Sequence, residues 1–413
     1  MMNFRYTKFV TICCAILFFK IDVFAQRLDS KSNVNAGQIE WVTEEKDTIE
    51  NHEYLNRTWE KLNNLKNEKT KRFTIVHIGD SHLQAGFLTS FVRRSMQSFF
   101  GNGGRGLVFP YQLAKSNAPK DIICSSNTNW TFNRLAHPEI NTSSGISGFI
   151  IQADTTSATC NFRLVYDSTN EIKTFNNIRV FAELPDSAIW TLKTKDSSVE
   201  IHATDFNEHK SATFSLKDTL SQFEIITDSI HQSKIIYGFS LESNNPGLIY
   251  HTIAVNGAQY EQYNISPNFW KQLPELNADM YIISLGTNEG QKPFFDSVRF
   301  AGILDTFLIN IGSISPNASV LICTAADNYK KGIPGNSELM AINFFLQNYC
   351  KEKKIACWDL YQMTGAAGSA KKWNMLGLMS KDRIHFNAAG YAFQGKLLFN
   401  AIMKGYQKYL KQH

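Results

Sequence analysis

Phe73-Thr74-Ile75-Val76-His77-Ile78-Gly79-Asp80-Ser81-His82 is the stretch from which the rest of the chain can be read. Residues 73–78 form a short run rich in β-formers that stops at a glycine, the pattern of a strand buried on both faces. Gln84 to Phe100 follows at helical spacing, with Leu88, Phe91, Val92, Ser95, Met96 and Phe99 on the inward side. Strand, tight turn and helix together present the Ser81 hydroxyl at a helix N-terminus, where free amides and the helix dipole favour developing negative charge. A serine in that place is also an ordinary N-cap. The turn alone therefore leaves the role of Ser81 open.

Outward from this unit, Leu55, Trp59, Leu62 and Leu65 recur as one face of an amphipathic helix. Beyond residue 253, Tyr281–Leu285, Ser319–Cys323 and Ile355–Leu360 read as apolar strands alternating with helical stretches, and Ala388–Leu410 closes the chain as a helix. Such alternation predicts an α/β fold, a parallel sheet covered on both faces with its site beyond the carboxyl ends of the strands. Between Gly148 and Ile253 the period changes to two. Cys160, Phe162 and Leu164 alternate with polar neighbours, as do Ile178, Val180 and Ala182, then Val199 and Ile201, then Ala212, Phe214 and Leu216. Several short alternating strands predict a β-sandwich inserted into the α/β domain.

The chain has 413 residues, 43% hydrophobic and 19% charged, an ordinary globular balance able to bury a large core. Arg5 and Lys8 precede an apolar run, Phe9–Phe19, broken only by Thr11, and Val23-Phe24-Ala25 supplies the small residues of a cleavage site. That run falls short of the roughly 20 residues that span a bilayer. The expected organisation is a signal peptide at 1–25, a polar lead-in at 26–50, a first hydrolase part at 51–147, the insert at 148–253 and a second hydrolase part at 254–413. The expected destination is the periplasm or cell envelope, with no later transmembrane segment. Removing Arg5, Lys8, Lys20 and Asp22 with the leader lowers the net charge from +5 to +3. No basic stripe with interleaved aromatics occurs, which excludes nucleic acid as a partner. Of seven cysteines, five remain after the leader, an odd number that leaves a free thiol. Cys323 and Cys357 read as buried small hydrophobes, and Cys124 with Cys160 is a less favoured disulfide pair.

Three further peptides complete the chemistry. Asp382-Arg383-Ile384-His385 spaces a carboxylate three residues before an imidazole, so that within one turn Asp382 meets the near ring nitrogen while the far one faces Ser81. Gly257 follows the apolar run Ile249–Val255, and a glycine lets a backbone amide approach a substrate oxygen. Asn288, in Gly286-Thr287-Asn288-Glu289, follows the strand ending at Leu285 and adds a side-chain amide. With the Ser81 amide these make three oxyanion donors. Each also has an ordinary structural reading as a turn or a cap.

In this order the four peptides resemble the conserved blocks of the SGNH (GDSL-like) hydrolase family, over roughly residues 51–413. The resemblance implies a flavodoxin-like parallel sheet, Ser81 as nucleophile, Asp382 and His385 as its triad partners, and Ser81, Gly257 and Asn288 as the oxyanion hole. It implies no cofactor and no metal. The usual first-block leucine is His82 here, and the usual aspartate after the third-block asparagine is Glu289. Both departures bear on subfamily and not on reaction. A β-rich insert between the first two blocks, together with Asn102–Gly106 and Tyr250–Gly257, is similar to bacterial peptidoglycan O-acetylesterases carrying a carbohydrate-binding-like sandwich. The implied activity is removal of O-acetyl groups from an envelope glycan. Rival readings are a deacetylase of other polysaccharides such as xylan, a glycan O-acetyltransferase, and a non-catalytic glycan-binding protein.

Other signals weigh less. Gly101, Gly103 and Gly106 spell G-x-G-x-x-G but follow a helix, so they read as a glycine-rich loop near the site. Asp80-x-His82 lacks the further clusters of a two-metal site, and His82 reads as packing beside the nucleophile. Trp190 and Trp270 could stack on sugars but read more simply as core.

Overall fold

Residues 73–78 do form a strand, Arg72–Gly79, buried from Phe73 onward. The computed structural model describes residues 46–68, 71–138, 142–153, 157–165, 174–228 and 233–413, with Ile39, Trp41, Val42 and Ile140. The signal peptide expected at 1–25 lies outside these residues, as does most of the lead-in.

Arg72–Gly79 pairs in parallel with Gly247–Ala254 on one side and Met280–Ser284 on the other. Ser319–Cys323 and Ala356–Trp358 extend the sheet, still in parallel. Taken in chain order, the five parallel strands stand 2-1-3-4-5, the flavodoxin-like arrangement. Ile49–Glu50 adds an antiparallel edge strand, so the end of the polar lead-in belongs to the catalytic sheet. The continuous apolar runs of the strands reflect burial on both faces. Val76, Ile78, Tyr281 and Ile283 pack on one side, and Phe73, Ile75, Met280 and Ile282 on the other. His77, the one imidazole in the first strand, is satisfied by Tyr250 Oη at 2.6 Å and Ser284 Oγ at 2.7 Å, and burial drives its pKa down to about 3.

The helix expected over Gln84–Phe100 is broken. Ser81–Gln84 forms one turn, and Phe87–Phe100 starts afresh after Gly86 at φ +74°, where Pro119 would crowd any side chain. Ser297–Ile314 is the one described helix long and apolar enough to cross a membrane by composition. It buries a stripe of Phe300, Leu304, Phe307 and Ile311.

The insert is a two-sheet sandwich, but its boundaries differ from 148 and 253. Gly104–Val108, Ile122–Ser125 and Thr131–Arg134 already belong to it, and Gly247–Ala254 belongs to the parallel sheet. The early strands are too short for alternation to register, and Gly247–Ala254 is apolar because both its faces are covered. One sandwich sheet runs Ser211–Leu220, Phe175–Glu183, Lys234–Glu242, Phe149–Ala153, Thr131–Arg134, with Gly104–Val108 also on Lys234–Glu242. The other runs Ser198–His202, Ile189–Lys193, Gln222–Ile226, Thr159–Leu164, Ile122–Ser125. Its core is continuous with one face of the catalytic sheet. At the junction a buried Asp121 carboxylate holds Arg105 Nε at 2.6 Å and Arg93 of the Phe87–Phe100 helix at 3.4 Å.

Gly101–Gly106 is not a loop at the site. It crosses Gly247–Tyr250, at the end of the strand opposite Ala254, and its glycines allow the two backbones to touch. Cys124, Cys160, Cys323, Cys350 and Cys357 are all free and buried, so the Cys124–Cys160 pairing does not form. Trp190 is fully buried, and Trp270 packs on Phe269 and Phe307, which leaves neither as a sugar platform.

Candidate active site

Ser81 and Asn288 follow the first and third parallel strands, the two between which the strand order reverses. A crevice forms there because the connections leave in opposite directions. Asp80 caps the Ser81–Gln84 turn by accepting from His82 N at 3.0 Å, which fixes the Ser81 hydroxyl at the crevice.

His385 Nε2 lies 2.7 Å from Ser81 Oγ, and His385 Nδ1 lies 2.7 Å from Asp382 Oδ2. The other carboxylate oxygen accepts from the amides of Ile384 at 2.9 Å and His385 at 3.0 Å. Arg383 at φ +57° closes this turn. Burial by itself would raise the Asp382 carboxyl, but hydrogen bonds from the His385 amide and ring and the Ile384 amide outweigh it and hold the pKa below the usual value. Asn387, not Asp382, caps the final helix, accepting from the Ala389 and Gly390 amides at 3.1 Å. Asp382 is thereby left to orient the imidazole. A hydroxyl with a base in contact, and a carboxylate fixing that base, is the arrangement that activates serine.

The donors converge on the same crevice. Gly257 sits at φ +83°, a conformation that favours glycine, and neither its amide nor that of Ser81 has an acceptor among the described residues. Asn288 Nδ2 donates to Ala258 O at 2.9 Å and faces Asp80 Oδ2 at 3.3 Å, which ties the three peptides together. Asn256 N donates to Gln84 Oε1 at 2.7 Å, locking the Gly257 turn to the Ser81 helix. All five residues read from the sequence thus meet in one place.

The residues around them are less familiar. Burial raises the pKa of Asp80 to about 7 against the opposing His82 amide, and the charge of Glu289 adds to the rise. Glu289 is likewise raised to about 7 by burial, although the Tyr260 amide donates to its Oε1 at 3.0 Å. His82 does pack beside the nucleophile: its ring centre is 5.0 Å from that of His385, and its Nδ1 is 3.0 Å from Tyr391 Oη. Burial, then the neighbouring His385, push His82 down to about 3, so it stays neutral. Sequence reading missed His137. This residue of the insert brings Nε2 to 3.1 Å from where a Cβ on Gly257 would stand. It lies far from every motif in the chain, and nothing local marks it. Among the described residues no group of three or more His, Cys, Asp or Glu could hold a metal ion, and Asp80 and His82 face different partners.

The sequence profile of the GDSL-like lipase/acylhydrolases matches residues 75–398. No curated protein is significantly similar in sequence. Among solved structures, a peptidoglycan O-acetylesterase superposes with a TM-score of 0.72 at 20% identity, covering 85% of this chain and 96% of that one. A lipase/acylhydrolase from Enterococcus faecalis matches at TM-score 0.30 and 18% identity, covering 38% of this chain and 76% of that one. A family two carbohydrate esterase from Cellvibrio japonicus matches at TM-score 0.29 and 8% identity, covering 70% and 100%. The profile spans both halves of the parallel sheet and the insert between them, and with it the chain belongs to the GDSL-like lipase/acylhydrolase family, as a carboxylic ester hydrolase.

Proposed function

We propose that the protein is an exported serine esterase that removes O-acetyl groups from a cell-envelope glycan, peptidoglycan. The observation that carries this reading is the unbroken contact from Asp382 through His385 to Ser81, 2.7 Å at each step. Likeness to a peptidoglycan O-acetylesterase along nearly the whole of that structure, insert included, supports the choice of glycan, and the leader-like residues 1–25 support export.

Ser81 Oγ attacks the acetyl carbonyl while His385 Nε2 takes its proton, and Asp382 stabilises the imidazolium. The Ser81 and Gly257 amides receive the oxyanion, joined by Asn288 Nδ2 as it gives up its longer hydrogen bond, 3.3 Å to Asp80 Oδ2. As the tetrahedral intermediate collapses, His385 returns the proton to the departing sugar oxygen, leaving acetyl-Ser81. Water, deprotonated by His385, then attacks that ester, and acetate leaves as Ser81 regains its proton. Neutral His82 lies against the imidazole throughout.

Incubating the protein with O-acetylated peptidoglycan, and separately with acetylated xylan, and measuring released acetate tests the substrate. Ser81→Ala should lower turnover by ~10⁴ or more with unchanged circular dichroism. Full activity in that variant overturns the assignment of the nucleophile. Preferential release from xylan, or transfer of acetyl to an added sugar in place of water, overturns the proposed substrate or reaction.

A further inference from the structure

The five-stranded sheet of the insert turns two different faces to its surroundings. Cys160, Phe162, Leu192 and Ile225 point into the sandwich core. Their sequence neighbours on the other face line a shallow trough of about 380 Å³. Three cations stand there, Arg163, Lys193 and Lys195, with one carboxylate, Glu224, and two carboxamides, Asn161 and Gln222. The strand register sets their spacing: Glu224 is directly opposite Asn161 on one side and Lys193 on the other, and Gln222 is opposite Arg163. Three strands spaced ~4.8 Å apart spread such a row over ~10 Å, the length of a disaccharide. Among the described residues none of the three cations, nor Glu224, forms an ion pair or a side-chain hydrogen bond.

Charged side chains on a solvated sheet face usually pair across strands, since opposite charges placed directly opposite attract. Here Lys193 and Glu224 are in register and stay apart, which leaves each with its hydrogen-bonding capacity unused. The set is also chemically mixed. A phosphate backbone would meet Glu224 in the centre of the trough and would find no exposed aromatic ring on which to stack bases. Sugar hydroxyls both donate and accept, so they suit a carboxylate flanked by two carboxamides. The surplus of cations then calls for carboxylates on the same polymer.

We propose that this trough is a binding site, separate from the catalytic crevice, for a carboxylate-bearing polysaccharide strand: Arg163, Lys193 and Lys195 take the carboxylates, and Glu224, Asn161 and Gln222 take the hydroxyls. The trough's Ile122–Ser125 edge leads back to Asn117, whose carbonyl accepts from Gln84 in the Ser81 helix at 2.9 Å. That the polysaccharide strand is the substrate rests on the esterase reading above, but the binding itself does not.

Native gel electrophoresis through polygalacturonate, which carries no acetyl ester to cleave, tests the site independently of catalysis. Hydroxyethyl cellulose serves as the neutral polymer and oligothymidylate as the competing polyanion. Polygalacturonate should retard the wild-type protein, hydroxyethyl cellulose should not, and the retardation should weaken with added salt. The triple substitution Arg163→Ser, Lys193→Ser, Lys195→Ser lies on exposed positions and should weaken polygalacturonate binding by ~10-fold or more. Its turnover of p-nitrophenyl acetate should be unchanged, which shows that it is folded. Glu224→Gln should erase the preference for polygalacturonate over oligothymidylate. Equal retardation of the triple variant and the wild type overturns the proposal, as does a wild-type preference for oligothymidylate or equal retardation by the neutral polymer.

Discussion

Replacing Glu289 by Gln removes one of two buried carboxyls that sit beside Asn288 and behind Ser81. Glu289 is raised from an ordinary value near 4.5 to about 7, chiefly by burial, and one of its oxygens has no partner. The sign follows from proton binding. The folded protein keeps this proton up to about pH 7, whereas the unfolded chain releases it near 4.5. The group therefore contributes its full stability below pH 4.5, and that contribution is lost as the pH rises through 7. The whole rise is worth about 3 kcal/mol. Most of it, roughly 2–3 kcal/mol, falls between pH 5 and pH 8. Asp80 adds a loss of the same sign, whereas the buried imidazoles of His77, His82 and His251, held neutral in the fold, gain stability over the same interval, so urea unfolding at the two pH values is read as the change that the substitution makes to the wild-type difference. Glu289→Gln should move that difference by roughly 2–3 kcal/mol in favour of pH 8, since it removes its own titration and relieves Asp80 of a neighbouring charge. A substitution of this kind also alters baseline stability, so the quantity to compare is the difference between the two pH values. An unchanged difference would refute the claim that Glu289 is held protonated.

Two other substitutions test the chemistry directly. Asp382→Asn keeps an acceptor for the Ile384 and His385 amides but presents an amide to His385 Nδ1, favouring the wrong tautomer; p-nitrophenyl acetate turnover should fall ~10²–10⁴-fold without loss of fold, and a change under threefold would contradict the orienting role. Gly257→Ala places a Cβ at φ +83° and 3.1 Å from His137 Nε2, so the amide donor must shift and kcat should drop ~10²–10³-fold. Adding His137→Ala should relieve the collision but not the backbone strain, giving only partial recovery in steady-state assays.

The sequence alone marked the parallel α/β core, the presence of a β-rich insert and, through four peptides whose order resembles one family, the five residues that the fold brings together. Each depends on short-range signals. Runs of β-formers mark doubly covered strands, alternation marks half-exposed ones, and the chemistry-bearing peptides fall at strand ends. Cys323 and Cys357 were legible as core for the same reason. What escaped had no local signal. Lys234–Glu242 is buried almost throughout, so it shows no alternation, and Gly247–Ala254 changed domains because its neighbours, not its letters, cover both faces. The contact of His137 with Gly257 and the shared burial of Asp80 and Glu289 exist only once segments over 100 residues apart are packed together, and the unpaired charges opposite one another in the insert only once its strands are in register. Burial and proximity, which set a pKa and decide whether two charges meet, are properties of the packed chain. Tertiary structure alone could supply them.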